Sequence, residues 1–216
     1  MSRPPIGAFA RRVDPTRGSS LGGMADDGGV SGVGEFEAVL AAAQEGQEWA
    51  VAVLFRDLQP RLLRFLRAQE PRVADDLAAE VWLAVASGMG GFTGDEPGFR
   101  AWVFTIARRR LIDHTRRAVR RRTDVSEDGV FERLEASDAP ENEAIDNLGA
   151  QDAVTLIFEL LPQDQAEVVL LRVLGDLDAD QVAEIMGRSA NWVRVTQHRA
   201  LRRLADRLGP KAGVTR

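Results

Sequence analysis

The sequence predicts an all-α protein made of two small helical domains joined by an acidic linker. Three observations carry this expectation. From Glu35 to Leu208 apolar residues recur at three- and four-residue spacing, and no alternating run is long enough for a strand. Gly and Pro gather in a few short stretches instead of punctuating the whole chain. Charge falls in opposed blocks: nine Arg and one Asp give Phe99–Arg122 a charge of +8, nine acids and one Arg give Thr123–Asn147 a charge of -8, and six Arg and one Asp give Arg188–Leu208 a charge of +5.

Residues 1–34 hold eight Gly and three Pro with no helical pattern, and a disordered extension is expected there; Met24 is an alternative start. The first domain, 35–122, opens with Phe36, Val39, Leu40 and Ala43 on one helix face. Trp49–Leu58 and Leu62–Leu66 continue the pattern, with Pro60 expected at a boundary or in a first turn. Val73–Val85 reads as a helix in which Leu77, Val81 and Ala84 share a face. Ser87–Gly98, with five Gly and one Pro, reads as a loop, and Phe99–Arg122 as a long Arg-studded helix. The acidic linker spans 123–147, and the second domain spans 148–209 before a short tail, 210–216. In that domain Val154, Ile157, Phe158 and Leu161 form a stripe ended by Pro162; Val168, Leu171 and Val173 are expected inward before Gly175.

The composition excludes most chemistry. The 216 residues contain no Cys, two His and one Lys, Lys211, so Cys-based sites, a His-rich metal centre and a Walker lysine are all ruled out. No Glu-x-x-His pair occurs. The expectation is a non-enzymatic protein without cofactor or metal. No apolar run approaches the roughly 18 residues of a membrane span, and no secretory signal stretch is present, so a cytoplasmic protein is expected. The net charge of -5 argues at first against nucleic acid, yet it is the sum of blocks of opposite sign.

Asp178–Val193 fits a helix-turn-helix. Asp178 and Gln181 form a capping-box pair, Ala183 permits close helix approach, Gly187 suits the turn, Ser189 caps the second helix and Val193 anchors it. Arg188, Asn191, Arg194, Gln197, His198, Arg199 and Arg203 on or beside that second helix can contact bases or phosphates. A second constellation joins the aromatics Phe92 and Phe99 to Arg108, Arg109, Arg110, Arg116 and Arg117, a pairing suited to opened strands; Trp102 is expected in the core. A third is the acidic helix start Asp75-Asp76, with Glu80, which the helix dipole alone would favour. These residues admit a helix-turn-helix repressor or activator binding paired half-sites as well as a more elaborate transcription factor.

The order of parts resembles an extracytoplasmic-function (ECF), group IV sigma factor of bacterial RNA polymerase over about Glu35 to Leu208. Arg61-Leu-Leu-Arg-Phe-Leu, Ala74–Trp82, Phe99–Ala107 with its Arg run, and Asp178–Leu204 are similar, in that order, to the family's successive segments. The resemblance implies a sigma-two-like bundle and a sigma-four-like helix-turn-helix domain, with no sigma-three domain between them. It implies that Asp75, Asp76, Leu77, Glu80 and Val81 meet core RNA polymerase, whose beta-prime clamp and beta flap are the expected partners. It implies that Phe92, Phe99 and the Arg run from Arg108 to Arg117 face the opened -10 element, and that Arg194, His198 and Arg199, with their neighbours, face the -35 element. The acidic linker would thread toward the active centre, and many relatives are held by an anti-sigma protein. Many members carry Asn where this chain has Arg109.

Overall fold

The computed structural model describes residues 30–124 and 144–208. Among them are eight α-helices and no strand: α1 (Val30–Gln44), α2 (Glu48–Arg67), α3 (Ala74–Gly88), α4 (Glu96–Asp124), α5 (Ala144–Leu160), α6 (Gln163–Val173), α7 (Ala179–Met186) and α8 (Ala190–Leu208), with a 3-10 turn at Met89–Gly91. None of the described helices is long and apolar enough to cross a membrane.

Helices α1–α4 form a bundle around α4. In α2, Ala50, Leu54, Leu58, Leu62 and Leu66 make one buried row at four-residue steps. Pro60 lies inside this helix, contrary to the expected boundary. It sits two residues from both Leu58 and Leu62, on the exposed side. The hydrogen bond that its ring removes is therefore lost on the wet surface, where water can serve the freed carbonyl, and the unbroken apolar row holds the helix together. Helix α1 begins at Val30, within the stretch expected to be unstructured, and Phe36, Leu40 and Ala43 seat it on the bundle. The rest of that extension, 1–29, lies outside the described residues, as do 125–143 of the linker and the tail.

Asp95 caps α4, its Oδ1 accepting from the Gly98 amide at 2.8 Å, so Pro97 falls in the first turn, where a missing N–H costs nothing. From Ala101 to Ala107 every residue of α4 is buried, because α3 packs on one side and α7 on another. Beyond Leu111 the same helix emerges from the core, and Arg116, Arg117, Arg120 and Arg121 are exposed. Gly88 allows this packing: a Cβ there would lie 2.7 Å from the Trp102 ring. The Gln44 amide donates to the carbonyls of Met89 (3.1 Å) and Phe92 (2.7 Å), pinning the 3-10 turn to α1.

Helices α5–α8 build the second unit. The expected caps are present. Asp178 Oδ1 accepts from the Gln181 amide at 2.8 Å while Gln181 Oε1 accepts from the Asp178 amide at 2.9 Å. Gly187 takes φ 65° in the turn, and the Ser189 hydroxyl accepts from the Trp192 amide at 3.2 Å. Val193, Thr196 and Ala200 face inward from α8. Val173 is exposed, against expectation; Val169, Leu170 and Leu174 are buried instead. Helix α5 starts at Ala144, so regular structure reaches into the stretch expected to be linker. The two units share one continuous apolar cluster, with α7 packed on α4.

Candidate nucleic-acid interface

Helix α8 presents the expected basic face. Arg188 in the turn before α8, and Asn191, Arg194, His198, Arg199 and Arg203 on the helix, are all exposed, while Val193, Thr196 and Ala200 are buried. The Arg188 guanidinium lies over the Trp192 ring, 5.4 Å from its centroid, which limits where that cation can swing. Arg194 Nη2 sits 3.4 Å from Asp180 Oδ2, a solvent-exposed pair that a phosphate or base can displace at small cost. Gln197 departs from the expected set. It is half-buried, and its Oε1 accepts from Arg172 Nε at 3.2 Å, while Arg172 Nη1 donates to the Leu177 carbonyl. Gln197 therefore points toward α6 and ties α8 to its own unit.

The basic stretch of α4 divides in two. Arg109, Arg116 and Arg117 are exposed. Arg108 is not: Nε donates to Glu167 Oε1 at 2.7 Å, Nη2 to Oε2 at 3.4 Å and Nη1 to the Ile185 carbonyl at 3.4 Å. Arg110 lies 3.5 Å from Glu80 Oε2, linking α4 to the acidic helix α3. A cleft of about 470 Å³ is lined by Arg108 and Arg116 together with Gln69, Glu70 and Glu167. The aromatics expected at a strand-facing surface are core instead. Phe99 is 1% exposed, and Phe92 is half-buried, stacked on Trp102 at 5.1 Å and edge-on to Phe99 at 5.4 Å. Burying these rings gains more than leaving them wet, which is why an aromatic beside an Arg run is not by itself a base-stacking platform.

On α3 the exposed carboxylates are Asp75, paired with Arg67 at 3.1 Å, and Asp76. Leu77 and Val81, expected at a partner surface, are buried in the bundle core at 4% and 0% exposure. The apolar residue available on that surface is Leu83, which is 69% exposed. Beside it the Phe55 and Trp82 rings meet at 5.0 Å, and Trp82 Nε1 donates to Gln59 Oε1 at 2.6 Å. The signal for Leu83 was in the spacing. Once Leu77 and Val81 are assigned inward, a residue two beyond Val81 must point away from them.

Comparison with known proteins agrees with this geometry. The model for Sigma-70 region 2 matches residues 54–121, and the model for Sigma-70, region 4 matches residues 151–204. The chain is 34% identical over 181 residues to the ECF RNA polymerase sigma factor SigD of Mycobacterium tuberculosis, covering 80% of this chain and 83% of that one. It is 35% identical over 176 residues to the ECF RNA polymerase sigma factor ShbA of Streptomyces griseus, covering 77% and 92%. In fold it is similar to the sigma factor RpoE solved in complex with the anti-sigma factor NepR from Bartonella quintana (TM-score 0.56, 23% identity, 74% of this chain and 97% of that one). A second similar structure is CnrH in complex with the cytosolic domain of CnrY (TM-score 0.54, 21% identity, 81% and 97%).

Proposed function

Since the chain belongs to the ECF family of RNA polymerase sigma factors, non-enzymatic subunits that recognise promoters and initiate transcription with core polymerase, we propose how its own surfaces divide that work. Helices α5–α8 act as the sigma-four-like domain, and α8 reads the -35 element through Arg188, Asn191, Arg194, His198, Arg199 and Arg203. An exposed comb of guanidiniums on the second helix of a helix-turn-helix supports this, since Arg can grip guanine edges bidentately or hold phosphates. Helices α1–α4 act as the sigma-two-like domain. Arg109, Arg116 and Arg117 meet the -10 region, where strand opening proceeds by capture of bases that leave the stack rather than by nucleotide hydrolysis.

Core polymerase is met on α3. Asp75 and Asp76 supply charge, and Leu83 with the Phe55–Trp82 pair supplies the apolar contact that Leu77 and Val81 cannot make from the core. The beta-prime clamp is the partner for this surface and the beta flap for the sigma-four-like domain. The acidic segment between α4 and α5 enters the polymerase channel as a mimic of nucleic acid. The chain works in the cytoplasm. An anti-sigma protein is a further partner, supported by the NepR complex of a sigma factor with the same fold.

The observation that carries this reading is the presence, in one chain and in this order, of an Arg-bearing bundle helix and a helix-turn-helix with an exposed basic second helix. In vitro transcription with core polymerase on genomic fragments tests it. Promoter-specific transcripts are expected only when both proteins are present. A tight palindromic footprint made by the chain without polymerase would overturn it in favour of a dimeric repressor or activator.

A further inference from the structure

Helix α1 does not close the bundle completely. Between α1, α2 and the start of α4 lies a groove of about 240 Å³, floored by Phe36, Leu54, Leu58 and Phe99 and edged by Val39 and Val53. Val53 is 43% exposed although it stands beside this floor, and Trp49, one turn earlier on the same side of α2, is 54% exposed. The volume is below the roughly 300–1,000 Å³ of a small-molecule site and suits a few inserted side chains instead. Three exposed carboxylates, Glu35, Asp57 and Glu96, line the groove together with Arg100. Arg100 already holds Glu96, whereas Asp57 has only an exposed pair with Arg61 at 3.4 Å, which another cation can replace at small cost. The groove therefore suits an apolar stripe flanked by positive charge.

The chain carries such a stripe ahead of α1, outside the described residues. In residues 3–13 the side chains of Ile6, Phe9 and Val13 have the spacing of one helix face, and at about 100° per residue Arg3 and Arg12 fall on either flank of it. Residues 1–17 hold four Arg against one Asp, opposite in sign to the carboxylates of the groove. We propose that this segment docks in the groove, setting Ile6, Phe9 and Val13 on the apolar floor and Arg3 and Arg12 toward Glu35 and Asp57. The connection is long enough. Sixteen residues, five of them Gly, separate Val13 from Val30, and a Gly-rich connection of that length spans about 22 Å. Phe36 and Val39 lie only about 9 and 14 Å along α1 from Val30. Tethering gives the segment an effective concentration on the order of millimolar, so a weak site is filled. The segment alone has too little apolar surface to offset its ordering entropy, and the groove supplies the rest. Val53 and Phe55 point to different sides of α2, so the docked segment leaves the Phe55–Trp82–Leu83 surface open. A chain begun at Met24 would keep the groove and lack its occupant.

The absence of native Cys allows a direct test on the full chain. A nitroxide on Ala8→Cys sits on the side of the stripe away from Ile6, Phe9 and Val13. Its paramagnetic broadening is expected on the amide resonances of Val39, Val53 and Phe99 and not on that of Ala205 in α8. Phe9→Asp should lower the docked-to-undocked ratio at least about tenfold, because it removes the largest apolar group of the stripe. Val53→Asp, at an exposed position that leaves the bundle core intact, should act alike from the groove side. Arg12→Glu should lower the ratio about two- to threefold, as exposed charge pairs do. No broadening at the groove, or broadening that survives both Phe9→Asp and Val53→Asp, would overturn the docking. Broadening in a mixture of spin-labelled chain and isotope-labelled parent chain would assign the groove to a second copy and overturn the intrachain occupant. Neither polymerase nor promoter enters the measurement, so its result and that of the transcription assay stand apart.

Discussion

Helices α4 and α8 are both long and Arg-rich, and DNA contact is proposed for both, but they spend their residues differently. In α8 only Val193, Thr196 and Ala200 are fully buried, with Trp192, Gln197 and Leu204 half-buried, and the remaining face carries exposed cations. In α4 the stretch from Ala101 to Ala107 is buried all round, and three of its Arg residues (Arg100, Arg108 and Arg110) already hold carboxylates within the chain. The difference teaches that a run of positive charge in sequence does not report how much of it faces outward. One helix is an attachment on its domain, whereas the other is the beam on which its domain is built.

The sharpest way to break this comparison is to truncate both helices. Phe104→Ala in α4 removes a fully buried ring that packs edge-on to Phe65 at 5.4 Å. It should cost about 3–5 kcal/mol in urea denaturation, whereas Arg202→Ala in α8 should change stability by no more than about 0.5 kcal/mol. Next in size, Leu83→Asp combined with Asp76→Arg should weaken binding to core polymerase about thirtyfold, the ~2 kcal/mol of an interface hot spot. Its melting temperature should hold, because both side chains are exposed; unchanged affinity in a titration with core polymerase would remove α3 from the interface. The two proposed reading surfaces separate by salt. Arg199→Ala should cost about 1–3 kcal/mol and relax selectivity at one base pair if it contacts a base edge. Arg116→Ala with Arg117→Ala should weaken binding to all sequences and flatten the logarithmic salt slope by about 0.9 per lost phosphate contact on duplex DNA. A modest effect is expected at Gly187, where φ is 65°: Gly187→Ala should lower stability by about 1 kcal/mol and leave the exposed basic face unchanged.

Much of the local structure was legible from residue chemistry. The capping pair Asp178–Gln181, the Gly187 turn and the Ser189 cap all stand where their spacing put them, because each depends only on residues within one turn. Pro60 was misread because the rule for proline concerns its missing hydrogen bond, and the rule is overridden when that bond lies on the wet side of a strongly buried row. Phe99, Leu77 and Val81 were misplaced for a related reason. Membership of a functional motif says nothing about which way a side chain points, and each of these falls on the face that the bundle core claims. Arg108 and Gln197 were beyond reach altogether, since Glu167 lies 59 residues from the first and Arg172 lies 25 residues from the second. Pairings of that separation are set by packing, and no local pattern announces them.

The continuity of α4 has a consequence of its own. Packed segment and Arg-bearing segment are one uninterrupted helix, so the bearing of every downstream guanidinium is fixed by the core. One residue inserted after Ile112 would rotate Arg116, Arg117, Arg120 and Arg121 together by about 100° and advance them about 1.5 Å, without deleting a single charge. Seven inserted residues would bring them back to within about 20° of their original bearing, displaced about 10 Å along the axis. The DNA contact proposed for this helix is thus a matter of phase. A mis-timed insertion that keeps every arginine should silence it as fully as removing them.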